Sequence, residues 1–447
     1  MKLRTFWVIL ATMAVIRLAL MATVPVFEPS EARYAAISAN MARSGDFVVP
    51  HFTHNLEYQS FDGKPPLVFQ AGGLFCRAFG VNEFAVRLFP FLSALLLLAI
   101  LYHAVRRFSD PGTGRFAVLV CFSCTAFFAA SGICMTDMTL ACCVAGALLL
   151  YRCFLEGFGW GYAAGVMALM GAGMIVKGPV ALVMFGLPVF VDAIVNRRWK
   201  GIFNWKWIAM APIFLLIAVP WFVFVEQRNP GAVWYFFYNE NFMRFISHDY
   251  GDKYGAGREA FRGVSLLWAL VATLPWALIP LWGLVSRLCH SNSTIPKFHH
   301  STISIFSHSH ISLRSFFFLA VLSIVGFWCL TSRVLIYYLF PVIPLFAAWL
   351  ALEGNRSRLA KLVPWSAGLS CVVLIGALVG GMFLSDKMQG AKTEFSFREN
   401  HYAYEFYHGR KSEAELAPYL KAREEYMKRR AERKAREAAE RAKEAAK

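Results

Sequence analysis

The chain has 447 residues, of which 57% are hydrophobic and only 16% are charged. Because soluble proteins carry about 25% charged residues, this composition excludes an ordinary soluble domain and indicates a protein that lies in lipid. The net charge of +17 would suggest a nucleic-acid partner in a soluble protein. Here the basic residues cluster in short segments between apolar blocks, with no aromatic–basic reader motif beside them, so we expect no nucleic-acid binding.

Apolar blocks of about 17–23 residues recur along the chain, and each is long enough to cross a hydrocarbon core of about 30 Å. We therefore predict an all-α polytopic membrane protein with about 11 transmembrane helices. The first block follows Lys2 and Arg4 and resembles a signal peptide, but Arg17 interrupts it and no small-residue cleavage site follows, so we expect a retained span. The predicted spans lie at about 5–24, 86–105, 116–133, 138–155, 160–176, 178–195, 206–225, 264–285, 315–331, 336–352 and 362–384.

The distribution of basic residues orients these spans. The short basic loops fall on one side of the predicted bundle, and the positive-inside rule makes that side cytoplasmic. Two large polar segments, at about 25–87 and 226–263, then face outward. Asp137, Lys177 and Arg333 lie at short turns on the same face, so the unusual polar groups collect on the outer side of the membrane.

The composition changes abruptly near residue 385, which divides the chain into a transmembrane domain at 1–385 and a tail at 386–447. Residues 413–447 are mainly Ala, Glu, Lys and Arg, with opposite charges about four positions apart. This pattern predicts a charged, mostly helical tail that is exposed to solvent. The predicted number of spans puts the tail outside, and one miscounted span would put it in the cytoplasm.

The first outer segment begins with a predicted helix along the membrane interface. Ser30 is an expected N-cap, Glu31 falls in the first turn, and apolar residues recur every three or four positions over 34–41. A capped amphipathic helix is the simpler interpretation. Against it, Glu28, Glu31 and Arg33 lie beside the bilayer, where charges are paired or used.

A rigid bend follows in the same segment. Asp62-Gly63 is a turn signal, and Pro65-Pro66 supplies no backbone donors. The bend presents Lys64 near the headgroup level, where a fixed ammonium suits a lipid phosphate. The alternative is a lysine that only snorkels to the interface.

At this point residues 1 to about 350 resemble the lipid A aminoarabinose transferases, which belong with the protein mannosyltransferases to the C-type glycosyltransferase (GT-C) superfamily. Each match is weak alone, and their shared order and spacing carry the resemblance. The matching motifs are Glu31-Ala32-Arg33-Tyr34-Ala35, Ser44-Gly45-Asp46 with Pro50, Asp62-Gly63-Lys64-Pro65-Pro66-Leu67, Thr136-Asp137-Met138, Lys177-Gly178-Pro179, Pro220-Trp221, Asn229-Pro230-Gly231, Tyr235-Phe236-Phe237, Glu240-Asn241-Phe242, Arg244-Phe245, Ser332-Arg333, Tyr338 and Pro341.

The resemblance implies a GT-C fold with interfacial helices in the first outer loop. It also implies transfer of a sugar, with inversion, from a polyprenyl (undecaprenyl) phosphate carrier. The acceptor would be lipid A, another glycan or a protein, at the periplasmic face of a bacterial inner membrane. The chemistry agrees, because a lipid phosphate leaves readily beside a cation and an acceptor hydroxyl needs a carboxylate base.

The resemblance and the charge pattern together select the candidate site residues. Glu31 and Asp137 are the expected acid/base pair, with Glu28 as a substitute acid. The expected ligands of the donor phosphate are Lys64, Arg33, Arg244 and Arg333. The expected substrate cavity contains Tyr34, Asp62, Lys177 and Tyr338.

Two departures from the family pattern affect this assignment. The family usually has Asp-Glu where this chain has Ser30-Glu31, so the acid expected nearest the sugar is missing. Some members bind a metal through a Glu before the lysine, where this chain has Gly63. Asp62 and His248 are the remaining candidate ligands, so no cofactor is certain and a divalent metal stays an open alternative. Asp137 also has an alternative interpretation as a helix N-cap.

Two other function classes stay open. A multi-spanning transporter or lipid flippase would also combine many spans with a few charges, although the chain shows no internal repeat and its charges lie at one face. An inactive glycosyltransferase relative is the third interpretation, because of Ser30. The sequence does not select the sugar or the acceptor.

Overall fold

The computed structural model describes residues 2–27, 29–54, 57–246, 253–254, 260–282, 308–352, 359–384 and 402–411, and four single tail positions at 415, 421, 424 and 428. This part of the chain is mostly helical. Its α-helices are α1 (Leu3–Thr23), α2 (Ser30–Ser44), α3 (Leu67–Phe79), α4 (Glu83–Phe108), α5 (Pro111–Phe122), α6 (Thr125–Ala130), α7 (Thr136–Leu155), α8 (Trp160–Lys177), α9 (Pro179–Val195), α10 (Trp199–Ile202), α11 (Trp205–Arg228), α12 (Ala232–Trp234), α13 (Arg244–Ile246), α14 (Val264–Ala272), α15 (His308–Cys329), α16 (Val342–Ala351), α17 (Val363–Leu384) and α18 (Tyr402–His408).

The remaining regular elements are short. A π-helix spans Tyr235–Met243, and 3-10 turns span Ile336–Leu339 and Ala360–Leu362. The strands β1 (His51–His54) and β2 (Glu57–Ser60) pair as an antiparallel hairpin, with Thr53 opposite Tyr58. This hairpin lies in the first outer loop and was not predicted.

Six of the described helices are long and apolar enough to cross a membrane, and the chain is a multi-pass membrane protein. They are Leu3–Thr23, Glu83–Phe108, Thr136–Leu155, Trp160–Lys177, Trp205–Arg228 and Ala360–Leu378. Five shorter apolar helices of 10–17 residues accompany them: Leu67–Phe79, Pro111–Phe122, Pro179–Val195, Leu313–Cys329 and Val342–Ala351. The polytopic helical fold is confirmed, and the number of 11 spans is not.

Breaks inside apolar stretches explain the difference. The predicted span at 116–133 is two helices, because α5 ends at Phe122 and the extended backbone of Cys124 precedes α6, which begins at Thr125. At the end of α8, Gly178 has a φ of +81°, and Pro179 begins α9 at a position where its missing N–H costs nothing. Hydropathy alone does not locate such breaks.

Helix α7 lies at the centre of the bundle. Nearly all of its residues from Thr136 to Phe154 are buried, and it packs against α4, α8 and α9. Its Ala, Gly and Cys residues let neighbouring helices approach closely, as small residues do in membrane bundles. By contrast α11 leaves large apolar side chains exposed, including Ile208 and Leu216, and this surface suits lipid.

The first outer loop lies over one end of the bundle. It contains α2, the β1–β2 hairpin and α3, and α2 packs against α3 and β1. The predicted N-cap is wrong: Pro29 occupies that position without a side-chain hydrogen bond, and Ser30 is the first helical residue. The division at residue 385 stays a prediction, and residues 402–411 beyond it pack on α2 and β1.

Candidate functional site

A cavity of about 310 Å³ lies at the end of the bundle that carries the bend at Lys64. Its walls are formed by the bend at Lys64, the α8–α9 junction, the π-helix, and the segment that links α15 to the 3-10 turn at Ile336–Leu339. Four cationic side chains line it: Lys64, Lys177, Arg244 and Arg333. Among its described lining residues, Glu240 is the single carboxylate. The rest of the wall is largely apolar and includes Val180, Val183, Phe236, Phe327 and Trp328.

Lys64 is a cation of the cavity lining whose pKa is lowered by its surroundings. Within the described part of the chain its ammonium makes no ion pair, and the bend holds it partly buried. Burial, together with the nearby charges of Lys177 and Arg244, lowers the pKa of Lys64 to about 7. An anion in the cavity would restore the charged form, so Lys64 is prepared to bind one.

Asp137 and Lys177 form a buried ion pair at the same end of the bundle. Asp137 lies in the first turn of α7, and Lys177 is the last residue of α8. The Lys177 ammonium also lies 4.1 Å from the centre of the Tyr338 ring. The N-cap of α7 is Met135, so the alternative assignment of Asp137 as that cap is wrong. The pair connects the most buried helix to the cavity wall.

The π-helix supplies the opposite wall. Its Glu240 accepts a hydrogen bond from Arg244 at 2.9 Å, and Asn241 donates to the Phe236 carbonyl at 2.8 Å. π-Helical turns are rare and occur frequently at functional sites. A Cβ at Gly178 would overlap the Phe236 ring, so glycine there lets the π-helix pack directly on the α8–α9 junction.

Glu31 lies away from the cavity lining in a network of its own. Its carboxylate accepts from Arg87 Nε at 2.7 Å and Nη2 at 3.0 Å, and from the backbone N–H groups of Phe27 at 2.9 Å and Cys134 at 3.0 Å. These four donors occupy the acceptor positions of a carboxylate. With all four positions taken, this arrangement fits a structural clamp rather than a free acid.

Arg87 completes the clamp and was not selected from the sequence. Besides Glu31, it donates to the carbonyls of Met21 and Pro25, at the end of α1, at 3.0 and 2.9 Å. The clamp therefore joins the end of α1 and the start of α2 to Cys134, in the turn before α7. Asp137 lies in the first turn of α7. The available sequence signal was an arginine at the start of a predicted span, where a charge must find a partner.

The remaining predicted residues lie beside the cavity. Arg33 faces Tyr402, with its guanidinium 5.2 Å from the ring centre. Tyr34 is buried against Phe69, their ring centres 5.1 Å apart. Asp62 joins the two outer loops, accepting from Asn229 at 2.8 Å and Lys253 at 3.0 Å. The expectation that these three side chains contact the donor or line the cavity has no support among the described lining residues.

Two predicted residues, Glu28 and His248, lie outside the described residues. Among the residues that are described, no group of three His, Cys, Asp or Glu side chains is placed to hold a metal ion. Gly63 stands at the position where some family members have a metal-binding Glu, and it packs near Tyr254. Metal dependence therefore stays an open prediction.

Comparisons with known proteins agree with this architecture. Residues 63–224 match the family model of the dolichyl-phosphate-mannose-protein mannosyltransferases. The crystal structures of ArnT from Cupriavidus metallidurans superpose with TM-scores of 0.61 bound to undecaprenyl phosphate and 0.63 in the apo state. They are 23% and 22% identical to this chain and match 90% and 91% of it, and 75% and 76% of their own lengths.

The chain has the fold of these ArnT structures. Its curated relatives include two undecaprenyl phosphate-alpha-4-amino-4-deoxy-L-arabinose arabinosyl transferases. The protein from Edwardsiella ictaluri is 29% identical over 57% of this chain and 45% of its own length. The second, from Sodalis glossinidius, is 30% identical over 57% of this chain and 46% of its own length. The chain thus spans about half the length of the curated relatives it matches.

Within this C-type fold, the described cavity gathers part of the predicted set. Lys64, Arg244, Arg333, Lys177 and Tyr338 all line it. Asp137 reaches it through Lys177. Glu240, which the resemblance motif contained but the sequence did not assign, supplies the carboxylate of the lining.

Proposed function

We propose that this chain transfers a sugar from a polyprenyl (undecaprenyl) phosphate carrier to a lipid A, glycan or protein acceptor, with inversion at the anomeric carbon. The observation that carries the proposal is the cavity in which Lys64, Lys177, Arg244 and Arg333 share one space with an apolar wall. A polyprenyl phosphate has the matching two parts, an anionic headgroup and a long hydrocarbon chain.

The cationic half suits the leaving group. When the bond between the anomeric carbon and the phosphate oxygen breaks, its electron pair stays with the phosphate, which changes from a diester to a more negative monoester. Cations placed where this charge develops stabilise the transition state more than the ground state. Lys64 contributes most specifically, since its lowered pKa rises when the anion binds.

The apolar half suits the carrier chain. Val183, Phe242 and Ile246 line the cavity and are exposed, at 41%, 56% and 65%. Exposed apolar side chains at the end of a transmembrane bundle contact lipid at no hydrophobic cost. We infer that the cavity opens toward the membrane there and that the isoprenoid enters from the bilayer.

The acceptor must lose a proton if it is a hydroxyl. We assign Asp137 as the carboxylate that receives it, oriented by Lys177. The acceptor oxygen then bonds to the anomeric carbon from the face opposite the phosphate, which gives inversion in one displacement. Glu31 is clamped by four donors and takes a structural part in this proposal.

The proposed location is the inner membrane of a bacterium, with the site on the periplasmic face. The basic short loops support this orientation by the positive-inside rule. The cavity contains residues of both long polar segments, through Lys64 and Arg244, and these segments are expected on the outer side.

Mass spectrometry of envelope lipids and glycans, with and without the gene, tests the proposal and names the acceptor. We expect one glycoform to disappear on deletion and to return with the wild-type chain. It should stay absent when the Asp137→Asn variant is expressed at the same level. Unchanged envelope glycoforms, or full complementation by Asp137→Asn, would refute it. Altered leaflet distribution of a lipid-linked sugar without loss of any product would favour a flippase instead.

A further inference from the structure

Residues 402–411 return to the first outer loop after the last described apolar helix. We propose that this segment, here named the C-terminal clasp, is a positioning element of the catalytic site and holds the first outer loop in its working shape. The proposal rests on the proposed function, because the loop carries Lys64. Its anchor is Glu405, and none of its residues contacts the cavity among the described residues.

Glu405 directs its whole carboxylate at the first outer loop. The side chain is 4% exposed and accepts from Asn40 Nδ2 at 2.8 Å, from the Thr53 backbone N–H at 2.9 Å and from Thr53 Oγ1 at 3.0 Å. A buried carboxylate without partners is strongly unfavourable, so these bonds fix the segment in one position. Asn40 belongs to α2 and Thr53 to β1, and Glu405 therefore holds the helix and the hairpin together.

The backbone of the clasp is held as well. Arg43, in the last turn of α2, donates to the carbonyls of Glu405 at 3.0 Å and Phe406 at 2.7 Å. These are carbonyls of the short helix α18, which ends where Gly409 takes a φ of +82°. The Glu405 carbonyl also accepts from the Gly409 N–H at 2.9 Å, and the Arg43 guanidinium adds a cationic donor at the negative end of the helix.

Two tyrosines extend the contact in both directions. The Tyr402 hydroxyl bonds His54 Nδ1 at 2.8 Å, and the same ring faces Arg33. The Tyr407 hydroxyl accepts from the Val26 N–H at 3.2 Å and donates to Glu83 at 2.9 Å. The clasp consequently touches the end of the first span, α2, the hairpin and the first turn of α4.

The hairpin connects the clasp to the cavity. Phe52, in β1, packs against Tyr402 on one side and Phe61 on the other, with ring centres 5.7 and 5.3 Å apart. Phe61 is three residues before Lys64 and packs on Tyr254, whose hydroxyl donates to the Ser60 carbonyl at 3.1 Å. Loss of the clasp therefore removes one face of the support that keeps the Lys64 bend in place.

A helix that only covered apolar surface would need apolar contacts alone. The clasp instead makes polar contacts with the loop. The Glu405 carboxylate accepts from Asn40, the Glu405 carbonyl accepts from Arg43, and Tyr402 contacts His54 and Arg33. Such a polar junction has one geometry, because partial matching leaves buried groups unpaired. We infer that it positions the loop and so controls affinity for the donor.

Charge-swapped variants of the full chain test the inference. Asn40→Asp places a second carboxylate against Glu405, and we expect it to release the clasp, while Asn40→Asp with Glu405→Gln restores one carboxylate and one amide. Glu57→Ala, an exposed position on β2, is the matched control. The readouts are hydrogen exchange of peptides covering 51–64 and the Kd for undecaprenyl phosphate in nanodiscs.

We expect Asn40→Asp to speed exchange in 51–64 and to raise the Kd roughly tenfold, with a change of KM for the donor larger than that of kcat. The double variant should recover most of both effects, and Glu57→Ala should show neither. Unchanged exchange and Kd in Asn40→Asp would overturn the inference. So would a double variant that recovers no part of them, since it restores an amide–carboxylate contact and leaves unrestored only the bond from Asn40 Nδ2 to the His51 carbonyl, at 3.2 Å in the wild type. If the wild type transfers no sugar, the proposed function fails, whereas exchange and Kd still decide the role of the clasp.

Discussion

Lys64 gives the sharpest prediction, because its charge depends on whether the cavity is occupied. In the empty cavity the pKa of Lys64 is about 7, and a bound phosphate raises it. Binding undecaprenyl phosphate therefore takes up a proton above pH 7. By linkage, the Kd of the wild type should rise with pH from about 7 upward, by at most about tenfold per pH unit.

The size of the Lys64 contribution follows from its geometry. A charge-assisted hydrogen bond to phosphate contributes about 1.5–3 kcal/mol, which is roughly 10- to 150-fold in Kd. Lys64→Met should lose that affinity at pH 6.5 and should also lose the added pH dependence. The same substitution removes a cation that burial disfavours, so we expect the empty variant to melt no lower than the wild type.

Isothermal titration in nanodiscs between pH 6 and 9 measures both effects. Lys206→Met is the matched control, because Lys206 lies at the other end of α11 from the second outer loop and stacks on Trp160. A pH dependence that persists unchanged in Lys64→Met would refute the reasoning. So would an affinity equal to that of the wild type at pH 6.5.

Four further predictions concern the residues around the cavity. Asp137→Asn should abolish transfer while the Kd for undecaprenyl phosphate changes only a few-fold; an equal loss of binding would assign Asp137 to the donor site instead. Lys177→Met leaves Asp137 buried without its partner and should lower stability by about 3–5 kcal/mol, read as melting temperature, and adding Asp137→Leu should recover part of it. Glu31→Gln should reduce transfer only as far as it reduces the folded fraction measured by size-exclusion chromatography, whereas a fully folded but inactive variant would return Glu31 to the acid/base role. Gly178→Ala should destabilise by about 1–3 kcal/mol, because its φ is positive and a Cβ overlaps Phe236; an unchanged melting temperature would contradict the packing described.

Much of the architecture follows from the sequence through hydropathy. A stretch as apolar as Thr136–Leu155 is stable only in lipid or inside a bundle, where its backbone groups must bond to one another. Its helix was therefore predictable. The bend at Lys64 was equally predictable, because Asp-Gly and Pro-Pro act locally on the backbone. The fold comparison supports the helical architecture, with TM-scores above 0.6.

The predictions that failed or stayed open depend on partners far apart in the chain. Glu31 and Arg87 are 56 residues apart, and Glu405 and Thr53 are 352 apart. Periodicity and local propensity contain no information about such pairs. For that reason the sequence does not show that Glu31 pairs with Arg87, that Arg33 faces Tyr402, or that residues 402–408 pack on α2 and β1.

We propose that this chain binds a polyprenyl phosphate sugar in the cavity and breaks its bond between the sugar and the phosphate. The most direct measurement is mass spectrometry of purified chain in proteoliposomes that contain polyprenyl phosphate-linked sugars and envelope acceptor lipids. We predict that free polyprenyl phosphate and glycosylated acceptor form in equal amounts with the wild type, and that neither forms with Asp137→Asn at equal protein. The acceptor fraction used must be the one whose glycoform depends on the gene. If the polyprenyl phosphate sugars then remain intact with the wild type, the proposed reaction is contradicted.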